Sequence, residues 1–224
     1  AFNSYLSFLL FPIFQVGFIS QQLSRAIALG GRLFEIIDTE SELVEKPNAI
    51  LLQEPVAGHV RFENVSFQYA GGETAVLQNI SFDVLAGQTV AILGPTGSGK
   101  SSIINLIPRF YDPTQVTVRL DGHDLRDVQL ESLRERIGIV LQDVNLIGGT
   151  IRDNIAYGKP DATEREVQRA ARAAQAHSFI IEQPDGYNTI IGERGVGRSG
   201  GQRQRIAIAR AILTDPCVLI FDDS

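Results

Sequence analysis

The chain has 224 residues, 44% of them hydrophobic, which is enough apolar material for one sizeable domain with an appendage. Its net charge of −6 argues against a surface built to neutralise the phosphates of a nucleic acid. Its one cysteine, Cys217, excludes an internal disulfide and lies in an apolar run, so we expect an inert buried thiol rather than a reactive one.

The N-terminal stretch is apolar. No charged residue precedes Arg25, and residues 2–19 are mostly Phe, Leu, Ile and Val. This predicts the end of a membrane-spanning helix kinked at Pro12, with a buried helix of a soluble protein as the alternative. From Ile19, an apolar stripe at helical spacing predicts that the helix continues outside the lipid to residue 37. The chain has no methionine, begins in an apolar stretch and stops directly after two carboxylates, so we expect a fragment of a longer protein.

A linker and a set of antiparallel strands are predicted next. Residues 38–58 contain acidic residues and prolines with weak periodicity, which predicts the linker. Alternating apolar residues over 60–84, broken by a turn at 71–72, predict antiparallel strands, and 116–120 predicts another. We expect residues 59–224 to form one domain.

The stretch from Thr89 to Ile107 carries the most specific motif. An apolar, β-branched run at 89–93 predicts a strand, a glycine-rich loop follows it, and 102–107 has a helical pattern. In that order they form a phosphate loop, whose backbone N–H groups bind polyphosphate; the alternative is a glycine-rich turn without a ligand. Lys100 is expected to reach the β- and γ-phosphates and Ser101 to ligate Mg²⁺. The expected nucleotide-binding residues of this stretch are Gly94, Pro95, Thr96, Gly97, Ser98, Gly99, Lys100, Ser101 and Ser102.

Two further elements are predicted in the middle of the chain. Residues 137–141 predict a buried parallel strand, with Gln142 at the carboxyl end, where ligands gather in α/β sheets. Thr163 and Glu166 form a capping box, which predicts a helix whose apolar positions continue to Ile181.

The C-terminal part adds a helix start and a pair of carboxylates. Residues 199–202, Ser-Gly-Gly-Gln, precede an apolar helical pattern and are expected at a helix N-terminus. An apolar strand then ends at Asp222 and Asp223. Such a pair matches a nucleotide hydrolase, in which Asp222 holds Mg²⁺ through water and Asp223 orients or deprotonates the attacking water. Strands that alternate with helices predict an α/β fold with a mostly parallel sheet.

Taken in order, these motifs resemble the half-transporter of an ATP-binding cassette (ABC) exporter. The matching segments are the aromatic residue that stacks on adenine (Tyr69), Walker A (94–101), the Q-loop (Gln142), the exporter segment after it (149–155), the loop before the signature (192–195), the signature (Ser199, Gly200, Gly201 and Gln202) and Walker B (Asp222). The resemblance implies a P-loop NTPase fold with a RecA-like core, an antiparallel β-subdomain and a helical subdomain. We expect a long transmembrane and cytoplasmic helix before this domain, and truncation after Walker B.

The resemblance also implies ATPase activity with ATP and Mg²⁺ as cofactors. Lys100, Gln142 and Asp223 are the catalytic residues that it implies. The implied metal ligands are Ser101, Gln142 and Asp222. The expected partners are a second half-transporter, the lipid bilayer and a transported small molecule, lipid or peptide, with no nucleic acid. The implied location is the plasma membrane, multi-pass, with the nucleotide-binding domain in the cytoplasm.

Two positions depart from the family pattern. Arg198 stands where the signature usually has Leu, so we expect a change in the packing behind that loop. Asp223 stands where active exporters usually have Glu, so its carboxylate is retracted by ~1 to 1.5 Å, and a misplacement of about 1 Å costs on the order of a hundredfold in rate. We therefore expect a degenerate site within a heterodimer, in which residues 199–202 complete the partner's site. The alternatives are a soluble ABC ATPase acting on nucleic acid or the ribosome, and a regulatory subunit without turnover.

Overall fold

The computed structural model describes residues 2–39, 41, 43–72, 74–192 and 199–222. The chain divides into two compact units, Ala1–Glu42 and Leu43–Ser224. The boundary between the units falls within the segment predicted as a linker, 38–58.

The first unit is built on one long helix, α1 (Phe2–Ile37), which contains Pro12. The helix predicted for this part of the chain is therefore present to residue 37. From Phe14 onward, its large apolar side chains are exposed. No helix in the described part of the chain combines the length and the apolarity needed to cross a membrane.

The second unit combines short strands with short helices. Its strands are β1 (Val60–Phe67), β2 (Leu77–Val84), β3 (Gln115–Leu120), β4 (His123–Asp124), β5 (Ile137–Val140), β6 (Gly149–Thr150), β7 (Ile190–Ile191) and β8 (Val218–Phe221). Its helices are α2 (Lys100–Leu106), α3 (Leu130–Glu135), α4 (Ile151–Ile155), α5 (Glu164–Ala173), α6 (His177–Ile181) and α7 (Gly200–Leu213). Single 3₁₀ turns lie at Leu125–Asp127, Ala156–Gly158 and Gly186–Asn188.

The antiparallel strands predicted from the alternating pattern are confirmed. They form a four-stranded sheet in the order β2-β1-β3-β4. Val60 of β1 lies opposite Val84 of β2 and Leu120 of β3, which makes β1 a central strand. Phe62 stacks on Phe82 across the first pair, with ring centroids 4.5 Å apart. The buried side of the sheet packs with α2, β5 and β8 into one hydrophobic core.

The parallel sheet is smaller than the sequence predicts. β5 and β8 pair in parallel along their whole length, so these two predicted strands are confirmed. The prediction of a strand at 89–93 is wrong for this structure: the run is not a strand, and Leu93 is 92% and Val90 50% exposed. A strand needs a neighbour for its N–H and C=O groups, and no ladder among the described residues includes this run. β-Branched residues favour a strand only when such a partner is present.

The helical part has its own hydrophobic core, formed by α4, α5, α6 and α7. The predicted start of α5 is confirmed, because the side chain of Thr163 accepts from the N–H of Glu166 and the Glu166 side chain accepts from the N–H of Thr163. The sequence predicts that this helix reaches Ile181, but α5 ends earlier and Ile181 closes the separate helix α6. The chain turns between them at Gln175, whose φ of 54° is incompatible with a helix.

Helix α7 contributes to the helical core and to a separate small cluster. Its Ile206 and Leu213 lie in the helical core. Its Ala207 and Ala211 form a small cluster with Val140 of β5. This cluster joins the helical part to the parallel strands.

Candidate functional site

The glycine-rich loop leads directly into α2, whose first residue is Lys100. Gly97 and Gly99 have φ values of +83° and +89°, in the left-handed region that favours glycine. A Cβ atom on Gly99 would lie 2.6 Å from Cδ2 of Leu77, so this position has no room for a side chain. The loop therefore depends on glycine for both its backbone conformation and its close approach to β2.

Lys100 folds back onto the loop that precedes it. Its Nζ donates hydrogen bonds to the carbonyl oxygens of Gly94, at 2.9 Å, and Pro95, at 3.0 Å. In the part of the chain that the structure describes, no salt bridge joins Lys100 to a carboxylate. Charged hydrogen bonds are stronger than those to neutral acceptors, so an anion in this loop would compete well for the ammonium. The neighbouring Ser101 is exposed.

Tyr69 contacts the start of α2. The alternating pattern over 60–84 predicts Tyr69 within a strand, but the structure places it two residues beyond the end of β1. Its hydroxyl and the Oγ of Ser102, a residue that is 5% exposed, form a hydrogen bond of 2.9 Å. Its ring meets the rings of Phe67 and Tyr111 in T-shaped contacts with centroids 4.7 and 5.0 Å away. The structure thus joins two predicted site residues and adds Tyr111, which no spacing pattern relates to Tyr69 because the contact forms through folding.

A cavity of about 850 Å³ brings Gln142 together with the start of α7. Its lining residues are Gln142, Asp143, Val144, Asn145, Gly200, Arg203 and Gln204. Residues 199–202 lie at the N-terminus of α7, as predicted, and the structure adds a cap: the Oγ of Ser199 accepts from the N–H of Gln202 at 3.3 Å, and the N–H of Ser199 donates to Oε1 of Gln202 at 3.3 Å. Gln142 and Gly200, the second residue of the Ser-Gly-Gly-Gln segment, therefore border one space.

Asp222 lies at the carboxyl end of the parallel strands. Its N–H donates to the carbonyl of Val140 at 2.9 Å, which continues the pairing of β8 with β5. The predictions for Asp223, Arg198 and 193–195 lie outside the described residues. Within the described ranges, no group of three or more His, Cys, Asp and Glu side chains is arranged to hold a metal ion.

Arg210 connects α7 to the loop after β5 through the buried Asn154. Its guanidinium donates to the backbone oxygen of Asn154 at 2.8 Å, to Oδ1 of Asn154 at 3.0 Å and to the carbonyl of Asn145 at 3.3 Å. Nδ2 of Asn154 donates to the carbonyls of Ile147 and Thr150, and Oδ1 accepts from the N–H of Ile147. Burial lowers the pKa of Arg210. Sequence analysis missed this network; an arginine within the apolar pattern of α7 was the available signal.

Cys217 is half-buried, and its Sγ donates to the carbonyl of Arg136 at 3.2 Å. Burial raises the pKa of the Cys217 thiol, and the nearby charge of Asp121 raises it further. A high pKa keeps the thiol protonated and slow to react, in agreement with the prediction of an inert cysteine.

Comparison with known proteins identifies clear relatives. The sequence profile of a family described as ABC transporter matches residues 77–224. All 224 residues are 47% identical to an uncharacterized ABC transporter ATP-binding protein, YknU, of Bacillus subtilis (strain 168), of which they cover 38%. The chain is also 45% identical to the ATP-dependent lipid A-core flippase of Syntrophus aciditrophicus (strain SB) over 213 residues. This match covers 95% of the chain and 35% of the flippase. A solved bacterial Atm1-family ABC exporter with ATP bound matches 98% of the chain and 38% of its own, with a TM-score of 0.81 and 42% identity.

Proposed function

The chain belongs to the ABC transporter family and has the P-loop NTPase fold of an ABC nucleotide-binding domain, and from this premise we propose that it couples binding and hydrolysis of MgATP to export across a membrane. The fold class predicted from the sequence is thereby confirmed. The observation that carries the proposal is the glycine-rich loop ahead of Lys100. Two of its glycines have left-handed backbone conformations, and the ammonium of Lys100 lies over the loop, where a bound phosphate could contact it. Because the chain spans 38% of the length of YknU, the activity of the whole protein remains a proposal.

The loop suits a triphosphate. At Gly99 a Cβ atom would lie 2.6 Å from Cδ2 of Leu77, so glycine permits the close approach of this turn to β2. The ammonium of Lys100 donates to two neutral carbonyls, and phosphate oxygens would replace them with negatively charged acceptors, which bind an ammonium more strongly. We assign the phosphates to residues 94–102 and the adenine to Tyr69.

Oxygen ligands are available for Mg²⁺. We assign the metal to Ser101, Gln142 and Asp222, because Mg²⁺ is commonly bound by one or two carboxylates together with phosphate oxygens. When bound, the ion would neutralise charge on the β- and γ-phosphates. Lys100 would stabilise the same charge, and Asp223 would orient the attacking water.

A second half-transporter completes the proposed assembly. The segment 199–202 begins α7, and a helix N-terminus attracts anions, so we assign it to the partner's nucleotide. Because Asp223 is one methylene shorter than Glu, we propose a heterodimer in which this chain's own site turns over slowly. Asp223→Glu should then raise the ATPase rate of the intact complex. If Asp223→Asn alone abolishes turnover, the slow-site proposal is wrong.

A regulatory subunit that binds nucleotide without turnover is the second candidate, and Asp223 is also the residue that favours it. Single-turnover hydrolysis at this chain's own site separates the two candidates. Measurable cleavage of bound ATP supports the exporter subunit with a slow site, whereas binding without any cleavage supports the regulatory subunit.

We place α1 at the end of the last membrane span, as its cytoplasmic extension. The exposed apolar side chains of α1 and the exporter and flippase names of the relatives support this placement. The cargo class is a small molecule, lipid or peptide, and the location is the plasma membrane with the ATPase domain in the cytoplasm. Fractionation of cells tests it, because recovery of the intact protein in the soluble fraction would favour a soluble ABC ATPase.

Binding of MgATP by the intact protein is the direct test. Lys100→Ala should weaken binding by about tenfold to a hundredfold, since hydrogen bonds to a charged group are worth about 1.5 to 3 kcal/mol. Lys159→Ala is the matched control, because Lys159 is an exposed lysine paired with Glu166, in the helical part. Equal binding by the wild type and Lys100→Ala would contradict the proposal.

A further inference from the structure

We propose that Tyr111 is a positioning residue for nucleobase recognition, which holds the ring of Tyr69 in the orientation that stacks on a purine. The inference rests on the proposed function, because it requires a nucleotide on the loop 94–102. It extends that function by assigning the binding of the base to a pair of aromatic residues, of which one belongs to no motif in the sequence.

The hydrogen bond of the Tyr69 hydroxyl fixes where the ring lies but leaves the ring free to rotate about its long axis. The hydroxyl forms its hydrogen bond of 2.9 Å with Ser102, directly beyond the loop residues assigned to phosphate. This bond sets the distance between the ring and the phosphates. Because the hydroxyl oxygen lies on the Cβ–Cγ axis, rotation of the ring about that axis leaves the bond intact. The direction in which the ring faces point must therefore come from neighbouring side chains.

Two aromatic neighbours set that direction. Phe67 meets the Tyr69 ring at 4.7 Å with an interplanar angle of 79°, and Tyr111 meets it at 5.0 Å and 88°. Both geometries lie in the favourable range for edge-to-face aromatic pairs. Phe67 is 3% exposed and belongs to the core, whereas Tyr111 is 37% exposed. Of the two neighbours that orient the Tyr69 ring, Tyr111 is thus the solvent-exposed one.

Tyr111 is itself held by the surrounding backbone and side chains. The preceding Arg109 is 2% exposed, and its guanidinium donates to both carboxylate oxygens of Asp112, at 2.6 and 3.0 Å. Past the turn, the N–H of Thr114 donates to the carbonyl of Ser66 in β1 at 2.9 Å. These bonds hold the backbone on both sides of Tyr111, and its ring also contacts the ring of Phe67, with centroids 5.5 Å apart.

The test compares two probes that share a triphosphate but differ in the base. Dissociation constants for ATP and for inorganic tripolyphosphate are measured by calorimetry, with Mg²⁺, on the intact protein. Tyr111→Ala should weaken ATP binding by about two- to tenfold, the worth of one aromatic pair, and leave tripolyphosphate binding unchanged. Tyr111→Phe keeps the ring and should restore wild-type affinity. Phe110→Ala, which removes an adjacent exposed ring that contacts Arg134, should change neither constant.

The outcomes separate this inference from the function on which it rests. Unchanged ATP affinity in Tyr111→Ala would overturn the inference, and so would an equal loss for both probes, because the residue would then support the fold and not the base. Failure of Tyr111→Phe to restore affinity would also overturn it. If the wild type binds neither probe, the nucleotide assignment itself fails.

Discussion

Asn154 is expected to be the most sensitive polar residue of the helical part. It is 1% exposed, and its side chain makes four hydrogen bonds: two to the carbonyls of Ile147 and Thr150, at 2.8 and 3.0 Å, and two from the Ile147 N–H and Arg210, at 2.8 and 3.0 Å. A net hydrogen bond is worth about 0.5 to 1.5 kcal/mol, and a buried group left without a partner costs about 1 to 3 kcal/mol. Asn154→Ala should therefore lower the free energy of unfolding by about 3 to 5 kcal/mol.

Two measurements check the Asn154→Ala prediction. The urea midpoint should fall with little change in m, and the Ile147 amide, which loses its acceptor, should exchange hydrogen on the order of a hundredfold faster. Asn188→Ala is the matched control, since Asn188 is exposed, and it should stay within about 0.5 kcal/mol of the wild type. In a double-mutant cycle, Arg210→Met should couple to Asn154→Ala by about 1 kcal/mol or more. A loss for Asn154→Ala no larger than the control's would refute the idea that this network holds the loop.

Three further predictions concern acid stability, backbone space and thiol reactivity. Burial works against the charge of Asp124, but hydrogen bonds from Arg126 outweigh it and lower the Asp124 pKa from 3.8 to about 2. Because the pKa of Asp124 is lower in the folded state than in the unfolded state, the ionised carboxylate stabilises the fold. Discounted for solvent screening, this contribution is about 1 kcal/mol at neutral pH and is lost between about pH 4 and 2. In urea unfolding, Asp124→Asn should therefore lower the stability at neutral pH but not below about pH 2. Gly58→Ala would place a Cβ 2.5 Å from the carbonyl oxygen of Cys217 and should lower the free energy of unfolding in urea by about 2 to 4 kcal/mol. The control Gly122→Ala has a similar φ but open space around the Cβ, and it should cost only about 1 kcal/mol. Equal losses for the two variants would exclude the clash. The Cys217 thiol should alkylate slowly with iodoacetamide at about pH 8 and much faster in urea, and equal rates would contradict its burial.

Local chemistry made part of this fold predictable. The capping box at Thr163 and the helix start at Ser199 were predicted correctly, because each signal lies within a few residues of the helix that it begins. The alternating strands and the buried run of β5 were also predicted, because burial of one face or both imposes its period on the sequence.

Non-local contacts account for what sequence reasoning missed. The run 89–93 has the composition of a strand, but strand formation depends on a partner elsewhere in the chain. The break at Gln175 follows from a left-handed backbone conformation, which a glutamine in the sequence does not predict. The contact of Tyr111 with Tyr69 joins two loops through tertiary structure. Each of these depends on neighbours that periodicity and motifs do not specify.

The small cluster of Val140, Ala207 and Ala211 also has a mechanical consequence. Alanine has no side-chain rotamers, and its methyl group interdigitates little with the side chains that face it across the contact. Displacement of the helical part along this contact would require no rotamer change in Ala207 or Ala211, which favours shear between packed elements. Replacing either alanine with leucine would add a branched side chain to this contact and oppose such shear.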